Sequence, residues 1–334
     1  MAITKSNILL VGGGGVGTIG AFNLERGGLA DVTVVLRSNF DKVKSDGFDI
    51  ISSDHGVVKG WRPSRIVKAI PNSDEEKFDH IVCTTKNIPD APPTVVDILS
   101  PAVTPGHTVI VLVQNGLNIQ KPFFEAFPNN VVLSGVSMIG SIELPPGVIT
   151  HRDPDVLQIG PFRNPNLAKD AQDEAARKSI EIYSAAGKAE CTSAADVPYS
   201  RWRKLVYNAC LNSTCAITGM DTGRLRVAGA PINALVRPAM EEIRLAANAC
   251  GVPLPDDIAD TMRSIMEPIS DYFAPSMLVD VRRGNLMEYE NIVGEPLRAG
   301  TKQGVDMPTL RTLYGLLQAI QWKLKEAKGM VEVP

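Results

Sequence analysis

Two stretches of the chain hold residue types whose spacing could do chemistry. Residues 7–24 read NILLVGGGGVGTIGAFNL, in which Gly12, Gly14 and Gly17 fit G-x-G-x-x-G between an apolar run and a segment of helical spacing. In such a turn the first glycine permits a tight bend, the second lets the backbone approach a pyrophosphate, and the third lets the helix lie close on the strand. The helix start, with Gly15 and Val16 in its first turn, offers free N–H groups and a partial positive charge to phosphates. Far along the chain, Lys204, Asn208 and Asn212 recur at i, i+4 and i+8, which makes one stripe on a helix. A lysine and two amides in line suit a ligand bearing a carbonyl and a carboxylate. Spacing alone favours an ordinary solvated face.

Other polar residues stand where strands end. The β-branched run at residues 31–37 closes on Arg37, followed by Ser38 and Asn39, with no acid before Asp41. An acid there would bond a ribose 2′-hydroxyl, whereas an arginine accommodates a 2′-phosphate, so NADP is expected over NAD. The alternative is a merely exposed strand-end charge. Lys86 follows the run at 79–85, and Asn115 follows the apolar run at 107–113, with Gly116 allowing a close turn. Ligands of open α/β sheets bind outside the carboxyl ends of strands, although a lone strand-end lysine is more often simply solvated. Asp280 and Arg282 read as structural, and Glu288 as a favourable charge near a helix start.

The elements that would position these groups fall into two halves. Through about residue 195, strand patterns at 31–37, 79–85, 107–113, 131–138, 156–159 and 188–192 alternate with helical ones at 93–99 and 166–186, and small strands or a hairpin fill 47–70. That alternation indicates a parallel, doubly wound sheet. From Asp196, a suitable N-cap, helical patterns take over at 196–212, 231–250, 256–269, 288–304 and 308–328. The expected domains are 1–195 for the dinucleotide and 196–334, all helical, for the substrate.

Composition limits the function further. At 334 residues two domains are the natural expectation, and 44% hydrophobic with 21% charged residues describes a globular chain rather than a disordered one. A net charge of −3 argues against a nucleic-acid surface. No apolar run approaches the roughly 18 residues of a membrane span. Only MAITKS precedes the first strand, leaving no room for a targeting peptide, so a cytoplasmic location is expected. The five cysteines and four histidines show no metal-ligand spacing, and no metal is expected. A homodimer is weakly favoured.

In their shared order these residues resemble the ketopantoate reductase (2-dehydropantoate 2-reductase) family. The resemblance covers nearly the whole chain: the glycines, Arg37, Lys86, Gln114-Asn115-Gly116, Trp202-x-Lys204-Leu205-x-x-Asn208-x-x-x-Asn212, Ser276-Met-Leu-x-Asp280 and Glu288. It implies an N-terminal Rossmann-type domain joined to an all-α domain like the C-terminal one of 6-phosphogluconate dehydrogenase. It also implies roles for single residues. Gly12, Gly14, Val16 and Gly17 would hold the pyrophosphate and Arg37 the 2′-phosphate. Lys86 and Asn115 would reach both cofactor and substrate. Lys204 would be the general acid, Asn208, Asn212 and Ser276 would bind substrate, and Glu288 would be a second acid that contacts the substrate hydroxyl and helps position Lys204. The implied reaction is NADPH-dependent reduction of a 2-oxo acid, ketopantoate, to its 2-hydroxy acid. Two departures bear on the substrate: Thr222 stands where many members have a substrate asparagine, and Lys86-Asn87-Ile88-Pro89 lacks the commoner aromatic-containing continuation. The competing expectations are a reductase of another 2-oxo acid or opine-type substrate, and a non-catalytic NADP-binding regulator.

Overall fold

The computed structural model describes residues 5–264 and 273–332. Its contacts divide the chain into two compact units. One holds the sheet, and the other holds Pro198 onward together with two short loops, Lys86–Pro92 and Asn115–Asn118.

The sheet unit begins with β1 (Ser6–Val11), buried along nearly its whole length, as a strand covered on both faces must be. Alternate residues serve two cores: Ile8 and Leu10 pack with Ile19 and Phe22, while Leu9 and Val11 pack with Ile81 and Ile110. The glycine turn leads into α1 (Gly15–Arg26) and then β2 (Ala30–Val35), parallel to β1. Next come α2 (Phe40–Asp46), the hairpin β3 (Phe48–Ser52) and β4 (Gly56–Trp61), and the short β5 (Arg65–Val67). β6 (His80–Cys83), α3 (Val95–Leu99), β7 (Val109–Leu112), α4 (Lys121–Ala126) and β8 (Val132–Ser137) follow. The unit closes with β9 (Gly140–Glu143), β10 (Val148–Asp153), β11 (Val156–Pro161), α5 (Lys169–Ser184) and β12 (Glu190–Ser193).

Eight strands form the main sheet in the order β12-β11-β8-β7-β6-β1-β2-β5. The order reverses beside β1, the switch point at whose carboxyl edge α/β sheets bind ligands. One pairing departs from the parallel run, because β11 lies antiparallel to β8. A hairpin rather than a crossover helix connects those two strands, so the chain returns the other way. That hairpin, β9–β10, joins β3–β4 in a separate four-stranded sheet, β4-β3-β10-β9. Residues 140–153 had shown no strand signal.

The helical unit starts with α6 (Val197–Tyr207), whose Trp202, Leu205 and Val206 enter its core along with Ala209 and Cys210. Without a break the helix widens into a π turn at Asn208–Asn212 and continues as α7 (Ser213–Thr218), stopped by Gly219 in the left-handed conformation. α8 (Thr222–Ala228) is capped by Asp221, whose side chain accepts from the Arg224 N–H at 2.8 Å. A π turn at Ile232–Val236 runs into α9 (Arg237–Ala249), and α10 (Ile258–Ser264) follows. The expected continuation of α10 to residue 269 lies outside the described residues. α11 (Ser276–Arg282), a third π turn at Glu290–Gly294, α12 (Glu295–Lys302) and α13 (Pro308–Ala327) complete the unit. No helix among the described residues is long and apolar enough to cross a membrane.

The junction of β1 and α1 depends on the absence of side chains. Gly12 has φ +113°, and a Cβ on it would meet Thr84 Oγ1 at 2.7 Å and the Thr85 nitrogen at 2.8 Å. A Cβ on Gly17 would collide with the Gly12 carbonyl oxygen. Gly17→Ala is therefore expected to lower the melting temperature by several degrees and weaken dinucleotide binding at least tenfold. Thermal melts and a fluorescence titration with NADPH check this; unchanged binding would show that the turn accepts the methyl.

Candidate active site

The turn between β1 and α1 has the features a diphosphate needs. Gly14 caps α1 without a side-chain bond, and no acidic residue lies in the first turn. Space around Gly14 is open, with no atom within 4 Å of a Cβ placed there. The first-turn N–H groups, those of Gly15 and Val16 among them, are thus offered at a helix N-terminus of positive character. One side is walled by β9, since a Cβ on Gly15 would lie 2.7 Å from backbone atoms of Ser141 and Ile142. Buried Asn39 ties these parts together, donating to the Gly13 carbonyl at 2.9 Å and to Glu143 Oε1 at 2.7 Å. Arg37, two residues earlier, is exposed just past the end of β2. These groups fit the diphosphate of a nicotinamide dinucleotide.

Within the helical unit, two loops are held by side chains distant in sequence. The loop at Asn115–Asn118 is fixed by α6 and by the third π turn. Lys204 Nζ donates to Asn115 Oδ1 at 2.8 Å, and Arg201 Nη1 donates to the Gly116 carbonyl at 2.7 Å. Gly116, at φ +101°, lies so close to Asn291 that a Cβ would reach its backbone at 2.7 Å. Leu117 and Asn291 then exchange hydrogen bonds of 2.8 Å and 3.0 Å. The loop at Lys86–Pro92 is fixed by carboxylates. Lys86 Nζ lies 2.7 Å from Asp280 Oδ2 and 3.4 Å from Glu288 Oε2, and Glu288 Oε1 accepts the Asn87 N–H at 2.9 Å. At the far end of that loop Asp90 pairs with Lys325 at 2.7 Å.

The two lysines are treated in opposite ways. Burial, reinforced by the Arg201 charge, pushes Lys204 down to about 8 against the upward pull of Glu288. Burial also works against the Lys86 ammonium, but Glu288 and Asp280 outweigh it and hold that group above the ordinary lysine value. Lys86 keeps 43% of its side-chain surface open while protein crowds its charged end. Glu288, only 5% exposed, bonds Lys86 and the Asn87 N–H, whereas Lys204 donates to the neutral Asn115.

The stripe at 204, 208 and 212 is not a plain helical face. Eight residues of an α-helix advance about 800°, which would leave its last member about 80° out of line. The π turn at Asn208–Asn212 advances less per residue and takes up part of that drift. Asn212 is 5% exposed, and its Oδ1 is buried with no hydrogen-bond partner among the described residues. Ser276, exposed at the start of α11, stands one turn before Asp280 and bonds none of the cluster. Thr222 commits its hydroxyl and its N–H to the Phe273 carbonyl at 3.1 Å and 3.0 Å. The structure brings Lys86, Asn115, Lys204 and Glu288 together; Asn208, Asn212 and Ser276 adjoin them only through helix spacing.

Four polar residues escaped the sequence reading. Asp280, taken there as structural, is the nearest partner of Lys86, while Arg282 does hold structure by donating to the Gly219 carbonyl at 2.9 Å. Arg201 was hidden by its neighbour Trp202, and Asn39 and Glu143 gave no signal, since their bonds join segments remote in sequence. Among the described residues no group of histidines, cysteines and acids could hold a metal ion.

A dinucleotide turn on a switch-point sheet, carried with a helical unit that holds a lysine of lowered pKa, is the build of a nicotinamide-dependent oxidoreductase acting on a CH–OH group. Models of the family described as ketopantoate reductase PanE/ApbA match residues 8–164, and those of its C-terminal part match residues 196–321. An uncharacterized protein of Saccharomyces cerevisiae is 37% identical over 98% of this chain and 97% of its own. A 2-dehydropantoate 2-reductase of a Nostoc species is 25% identical over 95% of this chain and 97% of its own. The crystal structure of 2-dehydropantoate 2-reductase from Methylococcus capsulatus is 31% identical, with a TM-score of 0.79 over 95% of this chain and 97% of that one. The chain belongs to the ketopantoate reductase family.

The neutral partner of Lys204 makes a pH prediction. For carbonyl reduction the lysine must carry its proton, so kcat/KM is expected to fall as pH rises through about 8. Asn115→Asp places a carboxylate beside the ammonium and should move that alkaline limb upward by about one unit or more. A pH series on both forms, with NADPH and a 2-oxo acid, checks it; coincident limbs would assign the titration to another group.

Proposed function

We propose that this protein reduces ketopantoate to pantoate with NADPH, using Lys204 as the proton donor. The observation that carries the reading is the half-buried Lys204, bonded to Asn115 at 2.8 Å and pushed by desolvation down to about 8. A bound NADPH supplies the hydride from C4 of its reduced nicotinamide. As the 2-oxo carbon becomes tetrahedral its oxygen gains negative charge, which the Lys204 ammonium stabilises before giving up its proton. A lysine lowered to about 8 is a stronger acid than free lysine and still largely protonated at neutral pH. Lys86, kept charged, suits the carboxylate of the acid. The buried oxygen of Asn212, unpartnered among the described residues, is an acceptor for a substrate hydroxyl such as the one ketopantoate carries.

A second reading, another 2-oxo acid of similar size, is favoured by Thr222. Its hydroxyl and N–H are spent on the Phe273 carbonyl, so position 222 presents no free amide to substrate. NADPH oxidation with ketopantoate against a panel of branched, aryl and amino-derived 2-oxo acids separates the two readings. With the preferred acid, Lys204→Ala is expected to lower kcat/KM by about 10²-fold or more while leaving NADPH binding intact. Turnover close to that of the unaltered protein would remove Lys204 as the acid.

NADPH rather than NADH is proposed on the position of Arg37, exposed past β2 with no acid beside it. Arg37→Ala should weaken NADPH binding at least tenfold and NADH binding little. Equal losses for both cofactors would set aside a 2′-phosphate contact.

A further inference from the structure

Asp280 occupies a costly position. It lies in the last turn of α11, where the helix end carries partial negative charge, and it is only 7% exposed. A carboxylate there loses water and meets an unfavourable dipole, so it needs a cation to offset both. Burial accordingly raises its pKa, while Lys86 pulls it back down. The cation comes from the loop at Lys86–Pro92, and the 2.7 Å contact to Asp280 is shorter than the 3.4 Å contact to Glu288.

The two acids divide the work on that loop. Glu288 Oε1 accepts the Asn87 N–H at 2.9 Å and so holds the backbone, whereas Asp280 holds the ammonium itself. A lysine ammonium has three N–H donors. With Asp280 and Glu288 each taking one, a third remains for an incoming anion, and the side chain keeps 43% of its surface open. Ser276, one turn earlier on α11, shares that helix face with Asp280.

We propose that Asp280 is a positioning residue for the reduction, fixing the Lys86 ammonium in place as the group that receives the substrate carboxylate. The inference rests on the reading of Lys86 given under the proposed function. Asp280 itself touches neither substrate nor cofactor and acts through Lys86. Its neutral isostere, Asp280→Asn, keeps the shape and removes the charge, freeing the ammonium to move and to lose its proton more readily.

The test reads two observables on the whole protein. In Asp280→Asn, limited acylation by an amine-reactive ester, followed at the Lys86 peptide by mass spectrometry, should proceed about tenfold faster, the gain in neutral amine for one unit of pKa. The KM for the 2-oxo acid should rise about tenfold with kcat within about threefold, the pattern of lost uniform binding. Asp280→Glu should recover part of that KM. The double variant with Lys86→Ala should show a KM no more than about twofold above Lys86→Ala alone, because both changes remove the same interaction. A far-ultraviolet circular dichroism spectrum unchanged in each variant confirms an intact fold. Unchanged acylation in Asp280→Asn, or full additivity in the double variant, overturns the Asp280 assignment. An unaltered KM in Lys86→Ala alone would instead remove the role of Lys86, so the two failures are read on different measurements.

Discussion

The half-buried Lys204 sets the terms for the helical unit. A cation taken out of water is stabilised either by a carboxylate, which holds its proton tightly, or by a neutral acceptor, which does not. One side-chain acceptor of Lys204 is Asn115, at 2.8 Å. Among the described residues, Glu288 is engaged by Lys86 and the Asn87 N–H, and Asp280 by Lys86. Two lysines of the same chemistry are thus set apart, one lowered and one raised, by burial and by the groups around each.

That sorting depends on two loops of irregular backbone. Asn115 is held because Arg201 grips the Gly116 carbonyl and because a glycine lets the chain lie against Asn291. Lys86 is held because Glu288 takes the next N–H and Asp90 is pinned by Lys325. These contacts give backbone groups of both loops hydrogen-bond partners, as an irregular segment away from water requires. The loops follow β6 and β7 in the chain yet group with the helices.

Much of this was legible in the sequence, and the parts that were not share a cause. The glycine turn, the parallel strands and the apolar face of α6 are written in local spacing, which a periodic reading captures. The hairpin β9–β10 was missed because GSIELPPGVITHRD mixes turn residues with too short a β-branched run. Lys204 and Asn115 could be picked out singly, but their hydrogen bond joins residues 89 positions apart, and no periodicity reports that. Asp280 looked structural because an acid near an arginine on a short helix usually is; its partner lies in a loop formed much earlier in the chain.

The π turn at Asn208–Asn212 also bears on how such a site can change over time. A π turn is an α-helix with one residue to spare, and Ser213 to Thr218 resume the ordinary helix beyond it. Losing a single residue from that stretch would restore unbroken helix, and the seven steps then left between Lys204 and Asn212 would turn about 700°, within about 20° of the same line. The helix therefore carries its extra residue as a local bulge, and the side chains on either side of it keep one facing with it or without it.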